Sequence, residues 1–380
     1  MKRIVGKRHN PIPFDILHNE ALNHQIAKLP SNYNFEIHKT LWRIREVSAK
    51  SVGLQLPEGL VLYSPLLVHI IRSFGRVECV LLADVVYGAC CVDDLTADAL
   101  GLDFLVHYAH TCLVPINETC MKTLYVFVEI HISVERLVQK LAAVFPPDTS
   151  LALIGTIQFA QALNEAAEIL QARGYSQLLV PQTKPRFPGE VLGCTSPTIA
   201  ASTVVSVSDG RFHLESAMIQ NPQCRFYKYD PYTQQLTTEE YDLAALKATR
   251  RPEIEKAAKS QVIGLILGTL GRQGSPSILK SLESLLTTAQ KDYIVFLMPE
   301  VTTEALAPFA EVEAWVQVAC PRLSMDWGSH FPKPLLNSYE AFVAFKGLPL
   351  EYPQDYYSYE GGEWSNYKAK AVWTDEAAKG

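Results

Sequence analysis

Apolar and polar positions fall along this chain in three blocks that share one grammar. Each has an apolar run of strand length, a short polar or glycine-bearing turn, an amphipathic helical stretch, and a second apolar run. The first block opens at Val52 with VGLQLPEGL, runs as an apolar helical stretch to Phe74, and returns as VECVLLAD. The second opens at Leu151 with LALIGTI; its helix covers 159–173 and stops at Gly174, a residue suited to a C-terminal cap. The third opens at Val262 with VIGLILGTLGRQGSP. There Ser275 is placed to cap a helix, Pro276 fits its first turn, and Ile278, Leu279, Leu282, Leu285 and Leu286 form its apolar face.

The openings at 52, 151 and 262 lie 99 and 111 residues apart, and alternating strands and helices at that repeat predict three α/β domains with largely parallel sheets. The expected division is an N-terminal arm with a helix over 1–50, domains over 51–147, 148–250 and 251–351, and a poorly packed, tyrosine-rich tail over 352–380. Joints are expected near PPDTS (146–150) and within the polar stretch 238–259. No self-similarity is visible residue by residue.

Composition narrows the function. Of 380 residues, 48% are hydrophobic and 19% charged, which describes a globular chain rather than a disordered one. The net charge of -6 argues against a dominant nucleic-acid-binding surface. The most apolar run, 79–92, is interrupted by Asp84, so no membrane span is expected; no apolar segment follows the basic residues near Met1, so neither is a secretory signal. Eight cysteines are then expected as reduced thiols in the cytoplasm. They include neither CxxC nor CxxxCxxC, so a metal site would have to gather ligands from distant parts of the chain.

Several cysteines sit where α/β folds place ligands, at the carboxyl ends of strands. Cys90 and Cys91 follow the second strand of the first block, Cys194 lies in the turn-rich GEVLGCTSP, and Cys320 ends AWVQVAC before Pro321. One cysteine per domain meeting at a junction would hold an iron–sulfur cluster through three thiolates, leaving the fourth iron open to a substrate. Cysteine is also one of the most buried residues and packs as a small hydrophobe. Spacing alone does not choose among Cys90, Cys91 and Cys112.

Other polar groups stand out. LGTLGRQGSP sets Gly268, Gly271 and Gly274 between a strand and a helix. It lacks the P-loop lysine and the GxGxxG pattern, so a carboxylate with Arg272 as partner suits it better than a nucleotide phosphate. SDGRFHLES places Asp209, Arg211, His213 and Glu215 at period two after the strand TVVSV, as an exposed strand face or the wall of a polar pocket. His107 and His110 near Cys112 are candidate metal ligands, although histidines in the core or behind a ligand are the more common case. No Ser-His-Asp order or nucleophile elbow is present.

Taken as blocks, YGACCVDDLTADALGLDFLVHYAHTCLVP (87–115), GEVLGCTSP (189–197), SDGRFHLESAMIQNP (208–222), LILGTLGRQGS (265–275) and VQVACPRLSMDWG (316–328) closely resemble the diphthamide biosynthesis protein 1 family. SNYNFEIHKTLWRI (31–44) fits that family's N-terminal region, and the match runs from about residue 10 to about residue 345. The family is the catalytic subunit of eukaryotic 2-(3-amino-3-carboxypropyl)histidine synthase. The resemblance implies three related α/β domains around a shared 4Fe–4S cluster, held by Cys90 in YGAC, Cys194 in GCTSP and Cys320 in VACPR. It implies S-adenosylmethionine as the substrate bound at the open iron, cleaved at the bond from sulfur to the γ-carbon. The 3-amino-3-carboxypropyl group then goes to C2 of one histidine of translation elongation factor 2, and 5′-methylthioadenosine leaves.

The implied partners are a homologous second subunit, in a heterodimer, and a small zinc- or iron-binding electron donor. Gly271, Arg272, Gln273, Gly274, Asp209 and His213 are the candidates for the S-adenosylmethionine pocket. Two other readings compete: a lyase like quinolinate synthase, which also draws one cysteine from each of three α/β domains, and a subunit that holds a cluster without catalysing. Consumption of S-adenosylmethionine separates the first from the diphthamide reading, and retention of all three motif cysteines argues against the second.

Overall fold

The structure, a computed structural model, describes residues 12–84, 86–114 and 118–367. The outer ends of the expected arm and tail, 1–11 and 368–380, lie outside the described residues. The chain forms an α/β fold with mainly parallel sheets, divided into two compact units, Met1–Ile130 and His131–Gly380.

In the first unit a four-stranded parallel sheet runs in the order Glu78–Leu82, Ser51–Gln55, Phe104–Tyr108, Lys122–Val126. Its two central strands are covered on both faces, which is why they read as mostly apolar runs, with Gln55 and His107 as buried polar exceptions. Residues of the expected arm join this core. The helix Ile37–Glu46 presents Ile37, Leu41 and Ile44, at i, i+4 and i+7, to Leu54, Leu67 and Ile70. The strand Tyr33–Asn34 pairs antiparallel with Glu129–Ile130.

The second unit holds two sheets. One runs Gln235–Glu239, Arg225–Asp230, Thr203–Val207, Leu151–Gly155, Leu178–Leu179, with only the first pair antiparallel. The other is parallel throughout, in the order Asp292–Met298, Val262–Gly268, Ala314–Val318, Leu335–Asn337. The helix expected to stop at Gly174 spans Ala160–Ala172, with Gly174 at φ +97°. The helix expected after Ser275 spans Pro276–Thr288 with its proline in the first turn, and buries Ile278, Leu282 and Leu286. Ser275 does not cap it through its side chain: its hydroxyl pairs with that of Ser277 at 2.8 Å.

Two expectations change. SDGRFHLES is not a strand; it turns into the helix Phe212–Gln220. That helix buries Leu214, Ser216, Ala217, Met218 and Ile219, too wide a face to leave an amphipathic stripe in the sequence. The described part of the tail, 352–367, is not loose either. Tyr352, Gln354, Tyr356, Tyr357 and Ser365 are buried, because tyrosine supplies apolar area together with a hydroxyl that finds a partner, as Tyr352 does on Glu340 at 2.7 Å. Among the described residues no helix is long and apolar enough to cross a membrane.

Candidate functional site

In the second unit the carboxyl ends of the strands bring two cysteines together. Cys194 lies in a tight turn in which Leu192 donates to the Thr195 carbonyl at 2.8 Å. The turn needs a glycine at 193, because the Phe212 ring occupies the place where a Cβ would stand. Cys320 follows the strand Ala314–Val318 and precedes the helix Pro321–Trp327, whose proline stops the strand. Its carbonyl accepts from the buried Gln317 amide at 2.8 Å. Burial pushes the Cys194 thiol up to about 12, and the neighbouring Cys320 adds to the shift. Without a metal Cys194 is a neutral thiol; a bound cation reverses that balance and takes a cysteine as its thiolate.

One arginine joins the two turns. Arg322, two residues past Cys320 and only 4% exposed, donates from Nη1 to the carbonyls of Phe212 at 3.1 Å and Gly193 at 3.4 Å. Its Nη2 meets Glu215 Oε2 at 2.6 Å, and its Nε meets Asp326 Oδ2 at 2.9 Å. The guanidinium also stacks over Phe212, 4.5 Å from the ring centroid.

The tail lies on the same turn. Tyr357 N–H donates to Thr195 Oγ1 at 2.9 Å, Ser196 N–H to the Gln354 carbonyl at 2.9 Å, and Tyr356 N–H to the Cys194 carbonyl at 3.4 Å.

The pocket candidates distribute around the strand ends. The loop of Gly271, Arg272, Gln273 and Gly274 follows Val262–Gly268, the parallel neighbour of the strand that leads to Cys320. Gly271 has φ +53°, and a Cβ on Gly274 would strike the Gly268 carbonyl, so both glycines serve the turn itself. Gln273 is buried and Arg272 half-buried. Asp209 is exposed in the turn before Phe212–Gln220, and His213 lies on that helix. Burial, aided by the Arg322 charge, drives His213 down to about 4, so its imidazole is neutral at pH 7. Arg211 is committed to the carboxylates of Glu215 and Glu239 and the Glu240 carbonyl.

In the first unit Cys90 is half-buried in the short 3₁₀ turn Ala89–Cys91, while Cys91 is fully buried. The buried Gln55, last residue of its strand, donates to the Cys91 carbonyl at 2.7 Å, accepts from Asp93 N–H at 3.1 Å and pairs with His107 Nδ1 at 2.8 Å. His107 also pairs with His110 at 3.2 Å, so it acts as a braced core histidine. The Cys112 thiol donates to the Val114 carbonyl at 2.8 Å, and the Cys224 thiol to the Ala201 carbonyl at 3.0 Å. Among the described residues no three His, Cys, Asp or Glu side chains stand gathered as a metal site. The donor chemistry of Cys194 and Cys320, two soft thiols side by side at strand ends, suits an iron–sulfur cluster.

Sequence reasoning missed Arg322, Gln317, Gln55 and the tail. The only signal for Arg322 was its place in ACPR with Asp326 four residues on, one helical turn away.

Comparison with known proteins points one way. The model of the diphthamide synthesis protein family matches residues 56–357. The 2-(3-amino-3-carboxypropyl)histidine synthase subunit 1 of Homo sapiens is 50% identical over 359 residues, 93% of this chain and 82% of that one. Its counterpart in Schizosaccharomyces pombe is 48% identical over 375 residues, 96% of this chain and 86% of that one. Among solved structures, Dph2 from Pyrococcus horikoshii with a 4Fe-4S cluster superposes with a TM-score of 0.72 at 25% identity, covering 85% of this chain and 93% of that one.

Proposed function

Since this chain belongs to the diphthamide synthesis protein family, we propose that it is a transferase, the catalytic subunit of 2-(3-amino-3-carboxypropyl)histidine synthase. The observation that carries this reading is identity of about half its residues, along nearly the whole chain, to relatives that bear that name. In the reaction the bond from sulfur to the γ-carbon of S-adenosylmethionine breaks and sulfur keeps the electron pair as the thioether 5′-methylthioadenosine. A carbon–carbon bond forms at C2 of a histidine imidazole of elongation factor 2, and the C2 proton goes to solvent. The reaction takes place in the cytoplasm, where that factor works.

We assign Cys90, Cys194 and Cys320 as the thiolates that hold a 4Fe–4S cluster, a reading supported by the cluster in the archaeal relative and by the pairing of Cys194 with Cys320. Cys90, Cys194 and Cys320 would hold the cluster through three thiolates, and when bound it would supply the one-electron chemistry that cleavage of the carbon–sulfur bond requires. The chain's own groups orient the substrate. Arg272, in a glycine loop at a strand's carboxyl end, suits the methionine carboxylate. Gly271, Gln273 and Gly274 shape that loop, and Asp209 and the neutral His213 line the adjoining wall. The three sheets correspond in this reading to three related domains over 51–147, 148–250 and 251–351, with 1–50 and 352–380 as flanking segments.

A homologous second subunit completes the heterodimer, and a small metal-binding protein donates the electron. The test is anaerobic incubation of chain and second subunit with reductant, S-adenosylmethionine and elongation factor 2. Methylthioadenosine should form together with a mass gain of one aminocarboxypropyl group on one histidine. Cluster present without either product would remove this chain from the catalytic role.

A further inference from the structure

We propose that Arg322 is a positioning residue that sets the separation and orientation of Cys194 and Cys320, acting through the backbone of the turn that carries Cys194. The inference rests on the thiolate assignment above and goes beyond it, by naming what holds the ligands in register.

Three segments meet at this guanidinium. Arg322 belongs to the helix Pro321–Trp327, which begins directly after Cys320. Asp326, one turn along the same helix, takes its Nε at 2.9 and 3.1 Å and fixes the side-chain rotamer. Glu215, on the helix Phe212–Gln220, takes Nη2 at 2.6 Å. The remaining arm, Nη1, reaches the carbonyls of Phe212 and Gly193. Gly193 is pressed against the ring of Phe212, on which the guanidinium stacks. The residue before Cys194 and the residue two after Cys320 are therefore joined by one planar group whose donors diverge in fixed directions.

Charge is not the main contribution. Its positive charge is held against Asp326 and against Glu215, which it shares with Arg211, so the guanidinium reaches the two turns as an ion-paired group. What remains is geometry, and geometry is what a lysine lacks: its ammonium is one point with three rotating donors and no planar fork. Groups that orient metal ligands from outside commonly matter roughly 10–100-fold in metal affinity.

The experiment uses the full chain with its second subunit, purified without oxygen, as wild type, Arg322→Gln, Arg322→Lys, Glu215→Gln and Cys194→Ala. Read out are the electron paramagnetic resonance spectrum and reduction potential of the reduced cluster, the rate of iron loss to a ferrous chelator, and melting of the metal-free chain. Arg322→Gln should lose iron roughly 10–100-fold faster, with an altered line shape and a shifted potential. Arg322→Lys should recover little, and Glu215→Gln should move the spectrum the same way by less. An unchanged spectrum, potential and chelation rate in Arg322→Gln overturns the inference, whatever happens to melting. If that variant fails to fold, an unchanged Glu215→Gln spectrum overturns it instead. A wild type without cluster, or Cys194→Ala with a normal one, overturns the thiolate assignment itself and the inference with it. A cluster lost in Cys194→Ala but unaltered in Arg322→Gln removes the inference alone.

Discussion

The backbone amide of Tyr357 donates to the hydroxyl of Thr195 at 2.9 Å, which binds a residue near the chain's end to the one beside Cys194. Both residues are buried, so a lost partner is not replaced by water. Thr195→Val keeps the shape and removes the acceptor, and should cost about 1–3 kcal/mol in urea unfolding. Removal of everything after Glu351 should go further and open the turn at 192–195 to limited proteolysis. Unchanged cleavage in the truncated chain would mean that the turn holds itself.

Cys194 and Cys224 make a matched pair for testing the metal assignment, since both are half-buried cysteines in the second unit. Cys194 stands beside Cys320 at the strand ends, whereas the Cys224 thiol is spent on the Ala201 carbonyl. Cys194→Ala should lose most of its iron and abolish methylthioadenosine formation. Cys224→Ala should retain both. Iron and sulfide analysis on the same preparations, read with product chromatography, checks the contrast.

A fully buried ion pair closes the third sheet. Arg250 meets Glu340 through Nε–Oε1 at 2.8 Å and Nη2–Oε2 at 2.9 Å, and also donates to the Leu335 carbonyl at 2.6 Å. Arg250→Met leaves the Glu340 carboxylate buried without its cation and should cost about 3–5 kcal/mol. Adding Glu340→Gln removes that charge and keeps one carbonyl oxygen as acceptor, for either the Tyr352 hydroxyl or the Asn337 backbone N–H. The double variant should therefore unfold at higher denaturant than Arg250→Met alone.

What could be read in the residues divides by physical cause. The strands at 51, 151 and 262 stood out because parallel strands covered on both faces are mostly apolar runs. Gly174 and Pro321 marked boundaries because each restricts the backbone locally. The helix Phe212–Gln220 did not stand out, since burial on most sides erased its periodicity and left four polar residues at an accidental spacing of two. Gln55, Gln317 and Arg322 were silent for another reason. Each is a buried polar group whose partner is a backbone carbonyl distant in sequence or hidden in a turn, and no local pattern encodes it. The cysteine motifs were legible through resemblance, while the braces around them required coordinates.

His213 gives stability a dependence on pH whose direction is fixed. In the unfolded chain its imidazole takes a proton near 6.5, but in the folded chain burial, with help from Arg322, delays that to about 4. The unfolded state therefore binds more protons between those values, and stability falls as pH drops from about 6.5 to about 4. His213→Asn should flatten this portion of the curve, by about 1–3 kcal/mol at its lower end. Chemical unfolding of the two chains across pH 4–7 measures the difference; parallel curves would show that His213 is solvated in the folded state.

Arg272 offers the most direct test of the substrate pocket. It lies in a loop whose backbone is tightly constrained, with Gly271 in the left-handed region and Gly274 against the Gly268 carbonyl. That rigidity presents the guanidinium from a fixed base at the carboxyl end of Val262–Gly268, next to the strand that leads to Cys320. A carboxylate gripped there loses a charge-assisted contact in Arg272→Ala. The Michaelis constant for S-adenosylmethionine should then rise roughly 10–100-fold. Arg272→Lys should recover part of the loss, because the charge returns without the planar fork. Cluster content and its spectrum should remain at wild-type values in both variants, which separates a substrate contact from damage to the metal site. A Michaelis constant that does not move would place the carboxylate elsewhere and leave Arg272 as part of the loop's own structure.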